Sequence, residues 1–468
     1  MRALPLLLLA PLVAGCFPTL PACDDACDPP ATETDGTGPT TDGTGTSGSP
    51  TTSGSVGDDT ATSDTDDGDS SGGSDTGDTG SPLGDCEPKV SALEWDVGQL
   101  TISNDLFSLH FDDSSSYTPN SLTIEEGDDQ NVIYAGPSQD ERHMGVLKFP
   151  NNDASWQVDG GFEVFEDGPV VTRLSTGWTT PDIMGETRYT FIADGRIVRH
   201  ESVYNMQGGG THLTAYVALD PARFDTVQWY GDQEGAMSLP DRGPAVPDSF
   251  LQSGPGDSVV SCAHGRTGNV VGYAAHGFPA VGPLPGRPGP GARASVSQVE
   301  GPDSFQFALQ QDWVRDGTVT DDTSYDAWVL TIVDGSTSEP CSCVAAHAFP
   351  FMDPPALVGR SGGSATAYAP GDVDGDTFNE ETGAYEISTM DNAPPYEFSV
   401  MGRTLPTLLL RMQYVVGIDG ISVGGTPLVA DVDYMTQVAG DGWTETMWVL
   451  VRGPIPADTV VSIDYVAP

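Results

Sequence analysis

Asp372, Asp374 and Asp376 stand at alternate positions in "GDVDGDTFNEE", with Glu380 and Glu381 close behind. Alternate spacing lets a tightly curled loop turn three carboxylates inward around a hard cation. The carbonyl of Phe378 then falls at the seventh position of the loop and Glu380 at the ninth. Calcium takes roughly six to eight oxygens at about 2.3–2.6 Å, and this supply suits it better than the stricter octahedron of magnesium. Crowded carboxylates in an acidic chain repel one another, and a bound divalent ion offsets that repulsion. The competing reading is a solvated acidic linker. Calcium is the expectation, in a structural role.

Two further groups of residues could do chemistry. In "ETRYTFIADGRIVRHESVYN" and the following "THLTAYVALD", strand alternation sorts side chains onto two faces. Leu213, Ala215, Val217 and Leu219 take the core side, leaving His212, Thr214 and Tyr216 on the other. His200 and Tyr204 share a face by the same period, and Arg188 alternates with Tyr189 and Phe191. Arg188, His200, Tyr204, His212 and Tyr216 together offer aromatic surface and planar hydrogen-bonding groups, the combination that holds a sugar. Ordinary half-exposed residues on a wet sheet face are the bland alternative.

The cysteines form the other group. Apart from Cys16 they are Cys23, Cys27, Cys86, Cys262, Cys341 and Cys343. An exported chain meets an oxidising compartment, so disulfides are expected. Cys23 and Cys27 are close enough to pair, and a Cys341–Cys343 bridge across one residue would be strained. Either Cys86–Cys341 with Cys262–Cys343, or the crossed alternative, follows. A zinc or copper site from Cys341, Cys343, His347, Cys262 and His264 is the rival, without a C-x-x-C pair to support it. No nucleophile elbow, phosphate loop or metalloprotease helix signature occurs, and no catalytic residue is assigned.

The elements that must position these groups are strands. Short alternating segments are broken by Gly, Asp, Asn and Pro, and 57 Gly with 38 Pro disfavour long helices. A hairpin is expected with one strand through Ile192, a turn at Asp194-Gly195 and a return from Arg196 to Tyr204. The fold class is all-β. The Pro/Gly/Ser-rich residues 350–371 read as a connector between a large sandwich, 85–349, and a smaller one, 372–468.

The 468 residues carry 68 Asp+Glu against 18 Lys+Arg, a formal net charge of -50. Such a chain repels nucleic acid and anionic headgroups. From Pro18 to Glu94 there is no aromatic residue, and residues 34–80 are Thr, Ser, Gly and Asp with almost nothing else, within an expected tether over 16–84. Such composition offers no apolar surface to offset ordering and predicts a disordered tether averaging about 45 Å end to end. Ahead of it stands "MRALPLLLLAPLVAGC", in which Arg2 precedes an apolar run of signal-peptide length that ends in Ala14, Gly15 and Cys16. These sixteen residues resemble the lipobox of bacterial lipoproteins. The resemblance implies a signal peptide over 1–15, lipid on Cys16 and a membrane partner through that anchor. Phe17, where an Asp would retain the protein at the inner membrane, implies the outer membrane or cell surface.

Three further resemblances bear on the folded part. "LTISNDLFSLHFDDSSSYTPNSLTIEEG", "VFEDGPVVTRLSTGW" and "ADGRIVRHESVYN" resemble the large antiparallel super-sandwich of galactose-mutarotase-like proteins, domains that also accompany glycosidases and polysaccharide lyases. The family's acid and base match no motif here. The closing segment, with Asp433-Tyr434 and Pro456-Ala457-Asp458, is similar to small Ig-like modules of bacterial surface proteins. The acidic loop resembles the nine-residue calcium loops of integrin-type repeats, although Thr377 stands where those have glycine. The expected function is that of a non-enzymatic, lipid-anchored surface protein with glycan as its candidate contact. The alternative is a polysaccharide lyase or epimerase on a mutarotase-like super-sandwich.

Overall fold

The computed structural model describes residues 86–468 apart from 113–117, 134–143, 149–161, 180–183, 205–210, 231–234, 239–258, 276–292, 299–304, 314–323, 337, 366–375, 391 and 441–444. The fold is all-β, with one α-helix among the described residues. The predicted hairpin forms from Met184–Ile192 and Arg196–Tyr204. Its turn needs Gly195: φ is 85°, and an added Cβ would lie 2.5 Å from the carbonyl oxygen of Ile332.

That hairpin sits inside a nine-stranded antiparallel sheet. In spatial order the strands are Gly235–Ser238, Thr226–Tyr230, Val259–His264, Val270–Ala275, Ser324–Ile332, Arg196–Tyr204, Met184–Ile192, Val171–Thr179 and Phe162–Glu166. A four-stranded sheet, Glu94–Asp96 through Thr118–Ile124, packs on one face of it. There Phe107 and Phe111 meet Tyr189 and Phe191, while Trp95 stacks on Phe162. These aromatics, dispersed in sequence, form one apolar layer. A second four-stranded sheet contains Thr211–Leu219 between Phe305–Trp313 and Met144–Lys148.

The helix Pro340–Met352 departs from the strand-only reading of the sequence. It packs on the strands Val259–His264, Val270–Ala275 and Ser324–Ile332. Cys341, Val344, Ala345, His347, Ala348 and Phe351 are all buried. A helix covered on most sides lacks the polar stripe that makes helical periodicity visible. Pro340 opens it where a missing N–H costs nothing, and Pro350 lies in its last turn. Close approach to the sheet depends on Gly272, whose Cβ would lie 2.1 Å from Val344 Cγ1.

The second sandwich starts earlier than residue 372. Leu357–Ser361, inside the expected connector, pairs with Tyr396–Val400, and Ser364–Ala365 pairs with Ala384–Ser388. Gly362, φ 77°, makes the turn between Leu357–Ser361 and Ser364–Ala365. One sheet orders Leu357–Ser361, Tyr396–Val400, Val460–Val466, Gly417–Val423 and Thr426–Pro427. The other orders Ser364–Ala365, Ala384–Ser388, Leu408–Gln413, Glu445–Val451 and Tyr434–Gly440, with Phe378–Asn379 alongside Ala384–Ser388. The described residues belong to one compact unit.

If helix seating depends on Gly272, Gly272→Ala costs about 1–3 kcal/mol through overpacking. Adding Val344→Ala recovers part of that loss in a denaturation cycle; strictly additive effects would contradict the contact.

Candidate functional site

The strongest convergence of ionisable side chains among the described residues lies where the nine-stranded sheet meets the second sandwich. Strand register builds it. Glu166, Arg173, Thr190 and Val198 stand opposite one another in one row, and Ser175, Arg188 and His200 in the next. The facing sheet carries its own row: Glu386 opposite Arg411, Arg411 opposite Trp448, and Trp448 opposite Gln437. Period two puts each row on a single face. Tyr189 and Phe191 therefore serve the first sandwich's core, while Arg188 and Thr190 face the other module.

Glu381 is the plug between them. Its Oε1 accepts from Arg173 Nη2 at 2.5 Å and Arg188 Nη1 at 3.0 Å. Thr190 Oγ1 donates to its backbone carbonyl at 3.0 Å, and its N–H donates to Asn379 Oδ1. Gly383, φ 66°, closes the same turn, with its Cα side toward Val198 and Ile192. Farther along, Trp448 Nε1 donates to Glu166, and Arg411 lies over the Trp448 ring while pairing with Glu386 at 3.3 Å. Two more ties cross the joint. Gln437 Oε1 accepts from the N–H groups of Val170 and Val171, and its Nε2 donates to the Val171 carbonyl, as a strand neighbour would. Gly168 leaves the room, because a Cβ there would sit 2.2 Å from Gln437 Cδ. Thr407 Oγ1 donates to Asp194 Oδ2 at 2.7 Å, beside the ion pair that Asp194 makes with Arg196.

Charge states follow from burial and partners. Burial alone would raise the Glu381 carboxyl, but Arg173 and Arg188 outweigh it and hold Glu381 below the usual carboxylate range. Asp194 is likewise depressed, burial being outweighed by Arg196 and Thr407. Glu166 and Glu386 go the other way: burial raises both, against the Trp448 N–H at Glu166 and against Arg411 at Glu386. Burial lowers His200 to about 4, so its imidazole is neutral at neutral pH. The array is a set of mutually neutralising groups: Arg173 lies between Glu381 and Glu166, and Arg188 between Glu381 and Glu186.

The residues expected to bind sugar divide between sheets. Arg188 and His200 are register partners, and Tyr204 ends the same strand as His200 opposite Met184. His212 and Tyr216 lie on Thr211–Leu219, in another sheet, and the side chains of Tyr204, His212 and Tyr216 lie outside the described residues. His200 is wholly buried, whereas the Arg188 side chain keeps 34% exposure.

Of the expected calcium ligands, Asp372 and Asp374 lie outside the described residues, and Asp376 is exposed, accepting from the Phe378 N–H. Phe378 packs edge-on against Phe351 and Tyr385, and Glu380 is fully buried. Thr377 holds φ of 82°, the conformation that a glycine would otherwise supply. No group of three or more potential metal ligands occurs among the described residues.

The cysteines form the crossed pairs, Cys86–Cys343 and Cys262–Cys341. All four sulfurs are thereby oxidised, which removes the thiolates a zinc or copper site would need. Cys16 lies outside the described residues. A shallow, solvent-open hollow with room for about one water lies beside the first disulfide, with Lys89, Asp194, Asp334 and His347 on its walls. It falls below the usual size of a ligand pocket.

Sequence reasoning missed Arg173, Glu166, Glu381, Glu386, Arg411, Trp448 and Gln437 as one group. A signal existed in "LLLRMQ" and "TMWVLV", where strands too apolar to have a wet face place Arg411 and Trp448 among Leu, Met and Val.

Removing one partner of a buried ion pair costs about 3–5 kcal/mol, and that is the expected loss for Glu381→Ala in equilibrium denaturation. Gln437→Ala orphans two backbone N–H groups and costs about 1–3 kcal/mol. The pH dependence has a definite sign. A depressed folded pKa makes the Glu381 contribution complete above the ordinary carboxylate value of about 4.3 and lost as pH falls through the folded one. Glu166 and Glu386, raised on folding, add stability as they take up protons at higher pH. His200 opposes them, because the unfolded chain takes up its proton near 6.5 and the folded one only at about 4. Stability therefore declines below neutrality as the buried imidazole and then Glu381 oppose protonation, and Glu381→Gln flattens the lowest part of that acid limb.

No protein-family model matches the sequence, and no curated protein matches it. Among solved structures the chain is similar to a galactose mutarotase-like protein from Lactobacillus casei, at 10% identity, covering 50% of this chain and 100% of that one with a TM-score of 0.32. It is similar to a heparan sulfate lyase from Pedobacter heparinus at 12% identity, covering 56% of this chain and 35% of that one, TM-score 0.29. A TPR-domain containing protein from Parabacteroides distasonis aligns at 11% identity, over 51% of this chain and 47% of that one, TM-score 0.29. The chain thus spans less than half the length of the last two. At these scores the likenesses carry no functional weight.

Proposed function

We propose that this chain is a non-enzymatic, surface-exposed lipoprotein. Cys16 carries the lipid, residues 16–84 are the tether, and two sandwiches locked into one body are what the tether presents. The observation that carries this reading is the closed charged joint. Acid–base catalysis on a glycan needs ionisable groups converging in an open cleft. Here Arg173, His200, Glu381 and Glu386 are buried, and Arg173 and Arg188 are taken up by Glu381 in holding one module on the other.

Glycan contact, in this reading, falls at the rim of the joint, where Arg188 keeps part of its guanidinium in solvent and Tyr204 ends the neighbouring strand. Calcium, held by Asp372, Asp374, Asp376, the Phe378 carbonyl and Glu380, would fix the entry of the chain into the strand Ala384–Ser388. The glycine-like φ of Thr377 supports a curled loop there. Extracellular sites of this kind need bind only at about 10⁻⁴–10⁻³ M.

Cys16→Ala is expected to move the protein from detergent-partitioning to soluble fractions; unchanged partitioning contradicts the anchor. A glycan array, with products analysed after incubation, separates binding from turnover. Retention of intact glycans fits the proposal, and unsaturated or epimerised products replace it with an enzyme. Titration calorimetry with calcium on the whole ectodomain is expected to show uptake that Asp374→Asn weakens. Uptake raises the melting temperature through RT ln(1 + [L]/Kd), about 2.7 kcal/mol at a hundredfold excess. No heat of binding at millimolar calcium contradicts the site.

A further inference from the structure

Cys86 is where the described fold begins, and Cys343 lies in the helix that hands the chain to the second sandwich. The bond between them joins positions 257 residues apart in sequence. The 86 end is seated on the same helix, since His347 Nε2 lies 3.2 Å from the Cys86 carbonyl oxygen. Two residues before Cys343, Cys341 is bonded to Cys262 in the strand Val259–His264, so the helix is pinned to the large sheet as well. Beyond the helix, Phe351 meets Phe378 and Arg403 pairs with Asp353, which ties it to the second sandwich.

We propose that Cys86–Cys343 is a load bypass. Tension arriving from residues 1–85 passes through the disulfide to the helix and so to the second sandwich. It does not run through the strands of the first. The alternative path shows why this matters. Just after Cys86, the backbone holds the first sandwich through Ser91 N to the Ala193 carbonyl and Leu93 N to the Pro169 carbonyl. Next comes the three-residue edge strand Glu94–Asp96, paired on one side only. Pulled from its end, such an edge opens one hydrogen bond at a time, whereas the disulfide bears load as a covalent bond. The first sandwich, with its nine-stranded sheet, then stays folded while the chain is stretched from end to end.

The inference rests on the anchored reading only for the origin of the load, and it is tested without any membrane. The full chain is held between a handle placed before Cys86 and one after Pro468, and stretched by single-molecule force spectroscopy. Under oxidising conditions the 257-residue loop contributes no length. Reducing the same molecule adds on the order of 900 Å of contour, at about 3.3–3.6 Å per residue, whereas oxidised Cys86→Ser/Cys343→Ser, in which Cys262–Cys341 still closes 79 residues, adds about 600 Å. Oxidised protein that extends by the full contour overturns the bypass, as does an oxidised and a reduced molecule with the same total extension. Failure of Cys16→Ala to release the protein bears on the anchor alone and leaves these extensions unchanged.

Discussion

A carboxylate removed from water must be paired, and Glu381 is paired twice, by Arg173 and Arg188 from adjacent strands of the large sheet. Much of the architecture follows from that requirement. The two arginines project from the face opposite the aromatic core, so that face cannot be left as a wet exterior once Glu381 is inserted. The second sandwich must then lie flat on it. Its six-stranded sheet accordingly shows Met447 to Val451 buried without interruption, one face toward its own core and the other toward the first module. A pair of this kind contributes little net stability against an apolar substitute, but it penalises misplacement heavily. Gln437 and Thr407 add direction, because both bond to specific backbone or carboxylate atoms across the joint.

The helix and the disulfides extend the same logic. One short helix covers the large sheet near its centre, is bonded to the strand Val259–His264 and to the start of the fold, and leads into the second sandwich. Noncovalent pairing joins the sandwiches face to face, and the two disulfides bind the helix that leads into the second sandwich to Cys86 and to Cys262 of the large sheet. The two sandwiches thus belong to one compact unit.

The hairpin around Asp194-Gly195 was legible because its turn chemistry and its period of two agree over nine residues on each side. The disulfide partners were legible down to two alternatives, since spacing limits pairings but cannot choose between helix neighbours. The helix was not legible: burial on nearly every side erased its polar stripe. Nor was the joint. Arg188 and His200 were read as a solvent-facing pair because alternation names a face without naming what covers it. Glu381 drew attention as one of several crowded acids, and only tertiary structure distinguishes a buried plug from exposed Asp376 five residues earlier.

Proton titration of His200 by NMR tests the closed joint most directly. Beneath Glu381 and the second sandwich its imidazole is expected to stay neutral until about pH 4, or until acid opens the joint. A midpoint near 6.5, the value of a solvent-exposed histidine, would mean that the face is open and that the two sandwiches are not locked through it.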